Sequence, residues 1–140
     1  MTSKWASILS SMAVTAAIGT APVASAAEYE YVTTVSGAVR CVISSEHVGC
    51  ERVSADGFPG APPSQSGTGN FNVAGVEADG TFNYSEGNIG IADNGDIVLD
   101  YGRAVEINGW TVVPSFDGTH FTNDNTGRGM FVSVDGVTPF

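Results

Sequence analysis

The sequence predicts an all-β protein: a single antiparallel β-sandwich or barrel-like domain with one hairpin disulfide, after an N-terminal signal peptide. Short stretches rich in β-branched and aromatic residues alternate with turn dipeptides, many of them Asx-Gly pairs. No stretch after residue 26 combines a helical period with capping residues. The two cysteines, Cys41 and Cys50, lie within one predicted hairpin.

Residues 1–26 have the composition of a secretory signal peptide. Lys4 provides the positive charge of the N-terminal region, an apolar run follows, and an Ala-Ser-Ala triplet ends at Ala26. Polar residues interrupt the apolar run, which is shorter than the roughly 18 to 20 apolar residues of a membrane-spanning helix. We therefore predict cleavage after Ala26 and a secreted or extracellular protein, free or associated with the cell wall. Residues 27–140 form its single predicted domain, without a stable membrane anchor.

The charge of the chain argues against anionic partners. Five basic residues stand against 15 acidic ones, for a net charge of −10, and cleavage would also remove Lys4. Binding to nucleic acids or anionic lipids depends on Lys and Arg replacing counterions. We predict no nucleic-acid partner, and the acidity is typical of a soluble surface.

The first predicted strand covers residues 28–35, and the hairpin that holds both cysteines follows it. Placing Cys41 opposite Cys50 also places Ile43 opposite Val48. Directly opposed residues of an antiparallel pair are close enough for a disulfide. On the other face this register predicts an ion pair between two further opposed residues, Arg40 and Glu51.

The chemistry of the two cysteines is predicted to be structural. Neighbouring cysteines in an exported protein favour a disulfide. A redox pair would need Cys-x-x-Cys spacing or a helix N-terminus, and a metal site would need more ligands than His47. Within this hairpin, the exposed tip at residues 44–47 is a better candidate for function than the sulfur atoms.

A loop at about residues 55–70 is dense in Gly, Pro and Ser. Its prolines exclude a central strand. Phe58 is predicted to hold one end of the loop against the core. The Pro-x-x-Pro match from Pro59 to Pro62 is interpreted as part of a spacer.

The rest of the chain alternates short strands with turns. Predicted strands cover residues 71–78, 81–85, 97–101, 104–107, 110–114, 119–122 and 130–135. The period of two predicts three core sets, namely Ile97, Leu99 and Tyr101; Trp110 and Val112; and Met130, Val132 and Val134. The same alternation leaves Asp100, Arg103 and Glu106 in solvent.

A hydrolytic site is the alternative to a non-catalytic domain. The best constellation is His120 with Asp117 or Asp124, with Ser115 or Ser133 as a hydroxyl nucleophile. The competing interpretation is that both aspartates form turns, because their side chains bond to nearby backbone amides, and that His120 is an exposed strand residue.

Two oxygen-rich loops are weak calcium candidates. Their acidic ligands would be Asp93 and Asp96 in one loop and Asp124 in the other. Neither loop has the full EF-hand spacing, so no metal and no cofactor is predicted. The sequon at Asn83 would matter only in a eukaryotic host.

Aromatic residues outside the alternating core sets are the remaining route to function, because exposed rings stack on sugars or peptides. These residues are Tyr29, Tyr31, Phe58, Phe71, Tyr84 and Phe140.

Several motifs of this sequence resemble those of a known group of proteins. They are Arg40-Cys41, Gly49-Cys50-Glu51, Gly57-Phe58-Pro59, Gly109-Trp110-Thr111-Val112-Val113-Pro114, Asp117-Gly118-Thr119, Phe121-Thr122-Asn123-Asp124 and Thr126-Gly127-Arg128-Gly129-Met130-Phe131-Val132-Ser133. The set resembles small exported proteins of actinobacteria, especially the mycobacterial type, whose function is unknown. The resemblance implies export, an envelope or extracellular setting and a disulfide, and it supplies no catalytic residue.

The leading functional prediction is a secreted, non-catalytic binding or cell-envelope interaction module, with an envelope protein or a glycan as its partner. The small extracellular hydrolase is the first alternative. A purely structural or antigen-like secreted protein is the second, and it would differ from the binding module by lacking an exposed aromatic patch.

Overall fold

The computed structural model of the protein describes residues 28–140, so the predicted signal peptide, residues 1–26, lies outside the described residues. This part of the chain forms two β-sheets and contains no helix, which confirms the all-β class. Sheet one consists of β1 (Glu30–Thr34), β2 (Val39–Ile43), β3 (His47–Arg52), β4 (Val73–Glu77), β5 (Phe82–Ser85) and β6 (Ile97–Leu99). Its strand order is β5-β4-β3-β2-β1-β6.

Sheet two is a meander in which consecutive strands are neighbours. It consists of β7 (Val105–Ile107), β8 (Trp110–Ser115), β9 (Gly118–Asn123), β10 (Gly129–Ser133) and β11 (Gly136–Pro139). All of its strand pairs are antiparallel. Asn108 and Gly109 connect β7 to β8 with φ angles of 50° and 83°. Two successive positive φ angles are typical of a type I′ hairpin turn, which explains the Asn-Gly pair.

The inner faces of both sheets share one hydrophobic core. Trp110, Phe58 and Phe121 are the largest of its fully buried side chains. The predicted core residues Trp110 and Val112 are buried, as are Met130 and Val132. Alternating apolar residues on two facing sheets therefore account for the sandwich.

Three residues assigned to the core from the sequence are exposed. Ile97 lies on the edge strand β6, which has a neighbouring strand on one side only. Tyr101 and Val134 lie in turns, because β6 ends at Leu99 and β10 ends at Ser133. The prediction of one long strand at 130–135 was wrong, since a turn at residues 134–135 separates β10 from β11.

The cysteine hairpin has the predicted register. Cys41 and Cys50 are opposed and form the disulfide, with their Cα atoms 4.1 Å apart. Both are buried in the core of sheet one. The disulfide therefore cross-links β2 and β3 at the middle of the sheet.

The predicted ion pair between Arg40 and Glu51 is wrong, although the two residues are directly opposed. The Arg40 guanidinium pairs with Asp96, at 2.8 Å between Nη2 and Oδ2. Glu51 instead accepts a 3.0 Å hydrogen bond from the amide of Ile89. Both partners belong to the connection at residues 86–96, which the local alternation of β2 and β3 does not reveal.

That connection also explains the one parallel pair. β6 lies beside β1 and parallel to it, at the edge of sheet one opposite β5. A parallel neighbour requires a crossover, and residues 86–96 provide it across the outer face. Arg40 contacts the crossover further through the carbonyl groups of Ile89 and Gly90, at 3.2 and 3.0 Å.

The loop at residues 55–70 is held at both ends by hydrogen bonds. Phe58 is fully buried, as predicted, and its amide donates to the Phe71 carbonyl. Gly57 has a φ of 69°, and a Cβ atom there would lie 2.0 Å from the Asn70 carbonyl oxygen. The two ends of the loop therefore meet at a position that only glycine fits.

Side-chain hydrogen bonds between the sheets close one end of the sandwich. The Asn108 Nδ2 atom donates to the Ile43 carbonyl, and the Trp110 Nε1 atom donates to the Ser44 carbonyl, both at 2.9 Å. Thr126 donates through its hydroxyl to the carbonyl of Ala78. We call this region, with the turns at residues 44–46 and 108–109, the closed end.

Candidate binding cavity at the open end

A cavity lies between the two sheets at the end opposite the closed end, which we call the open end. Its walls come from three hairpin regions and from Tyr101. These regions are the β1–β2 connection (Thr34, Ser36, Ala38 and Val39), the β8–β9 connection (residues 115–119) and the end of β10 (residues 132–134). It encloses about 300 Å³. Small-molecule sites start at about this size, roughly 300 to 1,000 Å³, so the cavity can take a side chain or a small ligand.

Exposed apolar side chains surround the mouth of this cavity. Phe116 is 87% exposed, and Tyr101 is 46% exposed. Their rings meet edge to face with centroids 6.2 Å apart. Val134 adds a third exposed apolar side chain to the rim. Clustered exposed apolar residues of this kind are typical of interaction sites.

Most hydroxyl groups that line the cavity are already used by the adjoining turns. The Ser115 hydroxyl donates to the Gly118 carbonyl at 2.7 Å. That of Ser133 donates to the Gly136 carbonyl at 3.3 Å, and Ser36 accepts a hydrogen bond from the Ala38 amide. These hydroxyls therefore stabilise the turns around the mouth.

Two polar side chains of the cavity have no such partner. Thr119 is only 3% exposed as a residue, and its hydroxyl forms no hydrogen bond within residues 28–140. In this part of the chain Arg52 Nε is the one fully buried side-chain nitrogen or oxygen without a partner, so the Thr119 hydroxyl is not sealed from the cavity and can bond to water or to a ligand there. Asp117 is the only charged residue of the lining, and within the same part of the chain its carboxylate forms no hydrogen bond or ion pair.

The structure separates the residues of the predicted hydrolytic site. Ser115, Asp117 and Ser133 line the cavity, whereas His120 and Asp124 do not. Among the described residues no hydrogen bond joins His120 to an aspartate or a serine. The cavity therefore lacks the base that the predicted constellation needs.

His120 lies on the solvent-facing side of sheet two, opposite Val113 and Phe131 of the neighbouring strands. Its ring centroid is 4.5 Å from that of Phe131 and 6.1 Å from that of Phe140. The histidine thus belongs to a row of aromatic side chains on the outer face. This position agrees with the interpretation of His120 as an exposed strand residue.

Asp124 is occupied by a local interaction at the closed end. It accepts a hydrogen bond from the Thr111 hydroxyl, which also contacts Glu106. The bond from Thr111 and, after it, one with Glu106 hold the pKa of Asp124 below its ordinary value. The carboxylate is therefore not part of the cavity lining, and it binds β8 rather than its own turn, in which the amides of Asn125 and Thr126 donate to Asn123 Oδ1.

The calcium candidates do not assemble into a site. Asp96 binds the Arg40 guanidinium and accepts a 3.1 Å hydrogen bond from the Ala92 amide. Burial raises the pKa of Asp96, but the bonds from Arg40 and Ala92 outweigh it and the net pKa is lowered. Asp93 is exposed in the crossover turn. Residues 28–140 contain no group of three or more His, Cys, Asp or Glu residues placed to hold a metal ion.

The aromatic candidates divide by burial. Phe58 is fully buried, while Tyr29 and Phe140 are exposed. The remaining three, Tyr31, Phe71 and Tyr84, are half-buried. Phe116 has the most exposed ring of residues 28–140, and the alternation of the strands does not single it out. Its signal was a large apolar residue within a turn, immediately before Asp117-Gly118.

The hairpin tip, the other predicted location of function, is bonded to its surroundings. The Glu46 carbonyl accepts the amide of Ala78, and the Ser44 carbonyl accepts the indole of Trp110. The Ser44 hydroxyl accepts the amide of His47 at 3.1 Å. These bonds make the tip part of the closed end.

Comparisons with family models, with curated proteins and with solved structures give no match for this chain. The resemblance to exported actinobacterial proteins therefore stays a prediction. None of the described residues belongs to a helix long and apolar enough to cross a membrane. The disulfide is consistent with an extracellular protein, because such cross-links persist in oxidising compartments.

Proposed function

We propose that the protein is a secreted, non-catalytic binding module that contacts a partner in the cell envelope through its open end. The observation that carries this proposal is the cavity between the sheets with the exposed Phe116 ring at its mouth. The disulfide supports the extracellular setting, because such cross-links persist in oxidising compartments.

The exposure of Phe116 favours binding over a purely structural role. A phenylalanine side chain gains about 1.5 to 3 kcal/mol when it is fully buried. Phe116 gives up most of that gain, and among residues 28–140 its ring contacts that of Tyr101 and no other aromatic ring. A partner that covers the mouth of the cavity would recover the gain, which makes Phe116 the main anchor of the proposed interface.

The test uses the neutral fluorescent probe N-phenyl-1-naphthylamine and the protein without residues 1–26. We expect the probe to bind in the cavity with increased fluorescence, and the Phe116→Ala variant to bind it at least about tenfold more weakly. Ile91→Ala is the matched control, because Ile91 is 71% exposed but lies in the crossover, outside the cavity. Equal probe affinity in both variants would contradict the proposal.

A further inference from the structure

Building on the proposed function, we infer that the cavity at the open end binds an arginine side chain of a basic peptide segment in a partner protein. The inference rests on four features of the cavity: its charge, its rim, its walls and its unpaired hydroxyl. Each of them matches one part of an arginine side chain.

The charge of the cavity lining favours a cationic ligand. Among the described residues that line the cavity, Asp117 is the only charged one, and none is Lys, Arg or His. The whole chain adds to this preference with a net charge of −10. An anionic ligand would meet an unpaired carboxylate at the mouth, whereas a cation would neutralise it.

The aromatic rim favours a flat cation. A guanidinium group stacks on aromatic faces, and arginine does so more often than lysine. Phe116 and Tyr101 present such rings beside Asp117. A guanidinium also binds a carboxylate through two parallel hydrogen bonds, which a lysine ammonium cannot do.

The interior of the cavity fits the rest of the side chain. Val39 and Val132 supply apolar walls, and apolar walls suit the methylene groups of arginine. The Thr119 hydroxyl lines the cavity and has no partner within the described part of the chain, so it can accept a hydrogen bond from one of the five guanidinium N–H groups. A neutral apolar ligand would leave both Thr119 and Asp117 without partners.

The experiment compares two peptides that differ in one charge, Ac-Gly-Arg-Gly-NH2 and its citrulline counterpart. Binding is measured by amide chemical-shift changes in the isotope-labelled protein. We expect the arginine peptide to bind about fivefold more tightly, because one partly solvated ion pair increases the affinity by about this factor. The largest chemical-shift changes should occur at residues 115–119. Raising the salt to about 1 M, where the Debye length is about 3 Å, should reduce this preference.

The variant Asp117→Asn removes the charge while keeping the shape of the side chain, and we expect it to lose the preference for arginine. Asp93→Asn is the matched control, because it makes the same change of charge at an exposed residue outside the cavity. It should keep the preference. Their amide spectra verify that both variants are folded.

The possible outcomes separate this inference from the proposed function. If the wild-type protein binds the neutral probe but does not distinguish arginine from citrulline, the inference is overturned and the proposed function stands. The same holds if Asp117→Asn and Asp93→Asn behave alike. If neither the probe nor the peptides bind, the proposed function fails, and the inference fails with it.

Discussion

The two ends of the sandwich are built in opposite ways. At the closed end, Asn108, Trp110 and Thr126 donate side-chain hydrogen bonds to backbone carbonyls at the ends of β2 and β4 and in the turns that follow them. At the open end, the side-chain hydroxyls bond within their own turns, and a cavity separates the sheets. Phe116 and Tyr101 are left to the solvent there.

From this difference we propose that the closed end provides stability and that the open end provides binding. Bonds between the sheets hold the closed end together, and every buried polar group that is satisfied there adds to the free energy of unfolding. At the open end, apolar area and the polar groups of Asp117 and Thr119 have no partner among residues 28–140, and these are features that a ligand needs. Substitutions at the closed end should therefore change stability, and substitutions at the open end should change binding.

The largest expected effect is that of Trp110→Ala at the closed end. Trp110 is fully buried, and its replacement leaves a cavity and removes the hydrogen bond to the Ser44 carbonyl. We expect a loss of about 3 to 5 kcal/mol in the free energy of unfolding. Phe116→Ala at the open end should change it by less than about 0.5 kcal/mol.

Urea unfolding followed by far-ultraviolet circular dichroism measures both variants, because this signal does not depend on the tryptophan that is removed. Similar losses in the two variants would show that the open end also carries stability, and the comparison between the ends would be wrong.

A smaller loss in the free energy of unfolding is expected at Asn108. Two substitutions there separate the contribution of the turn geometry from that of the hydrogen bond between the sheets. Asn108→Gly keeps the left-handed turn but loses the hydrogen bond to Ile43, which should cost about 0.5 to 1.5 kcal/mol. Asn108→Ala also forces a positive φ on alanine, which adds about 1 kcal/mol. Asn125→Ala, in an exposed loop at the same end, is the control and should be close to neutral.

Thermal unfolding would rank these variants as wild type, then glycine, then alanine. If the glycine and alanine variants were equally stable, the positive φ at residue 108 would not destabilise the alanine variant. Probe binding at the open end should be the same in all of them, because Asn108 lies at the opposite end of the sandwich.

The sequence predicts those parts of the fold that depend on neighbours along the chain. The hairpin register followed from the disulfide and from side-chain alternation, both of which act across adjacent strands. The Asn108-Gly109 turn followed from the need for positive φ angles. These features are local, so the residues that determine them are visible together in the sequence.

The cavity could not be predicted in this way. Thr34, Tyr101, Phe116 and Val134 come from four separate segments and meet only because the two sheets stack. The partner of Arg40 was missed for the same reason, since Asp96 is 56 residues away and reaches it through the crossover. Long-range placement depends on strand order and on the stacking of the sheets, and local alternation specifies neither of them.

The smallest predicted effect concerns the ion pair between Arg40 and Asp96, on the outer face of sheet one next to the cavity residue Val39. Asp96 has a pKa below its ordinary value in the folded protein. Its contribution to stability is therefore fully present above the ordinary pKa of about 4 and is lost as the pH falls through the lower, folded value. Because solvent reaches Arg40, which is 19% exposed, we expect less than about 1 kcal/mol.

Urea unfolding of the wild type and of Asp96→Asn, at several values between about pH 6 and pH 2, isolates this contribution. The difference between the two proteins should shrink towards low pH, because protonated aspartate and asparagine are both neutral. Other acidic groups, including Asp124, titrate in both proteins, so their contributions to the free energy of unfolding cancel in the difference. A difference that stays constant over this range would mean that the charge of Asp96 does not stabilise the crossover.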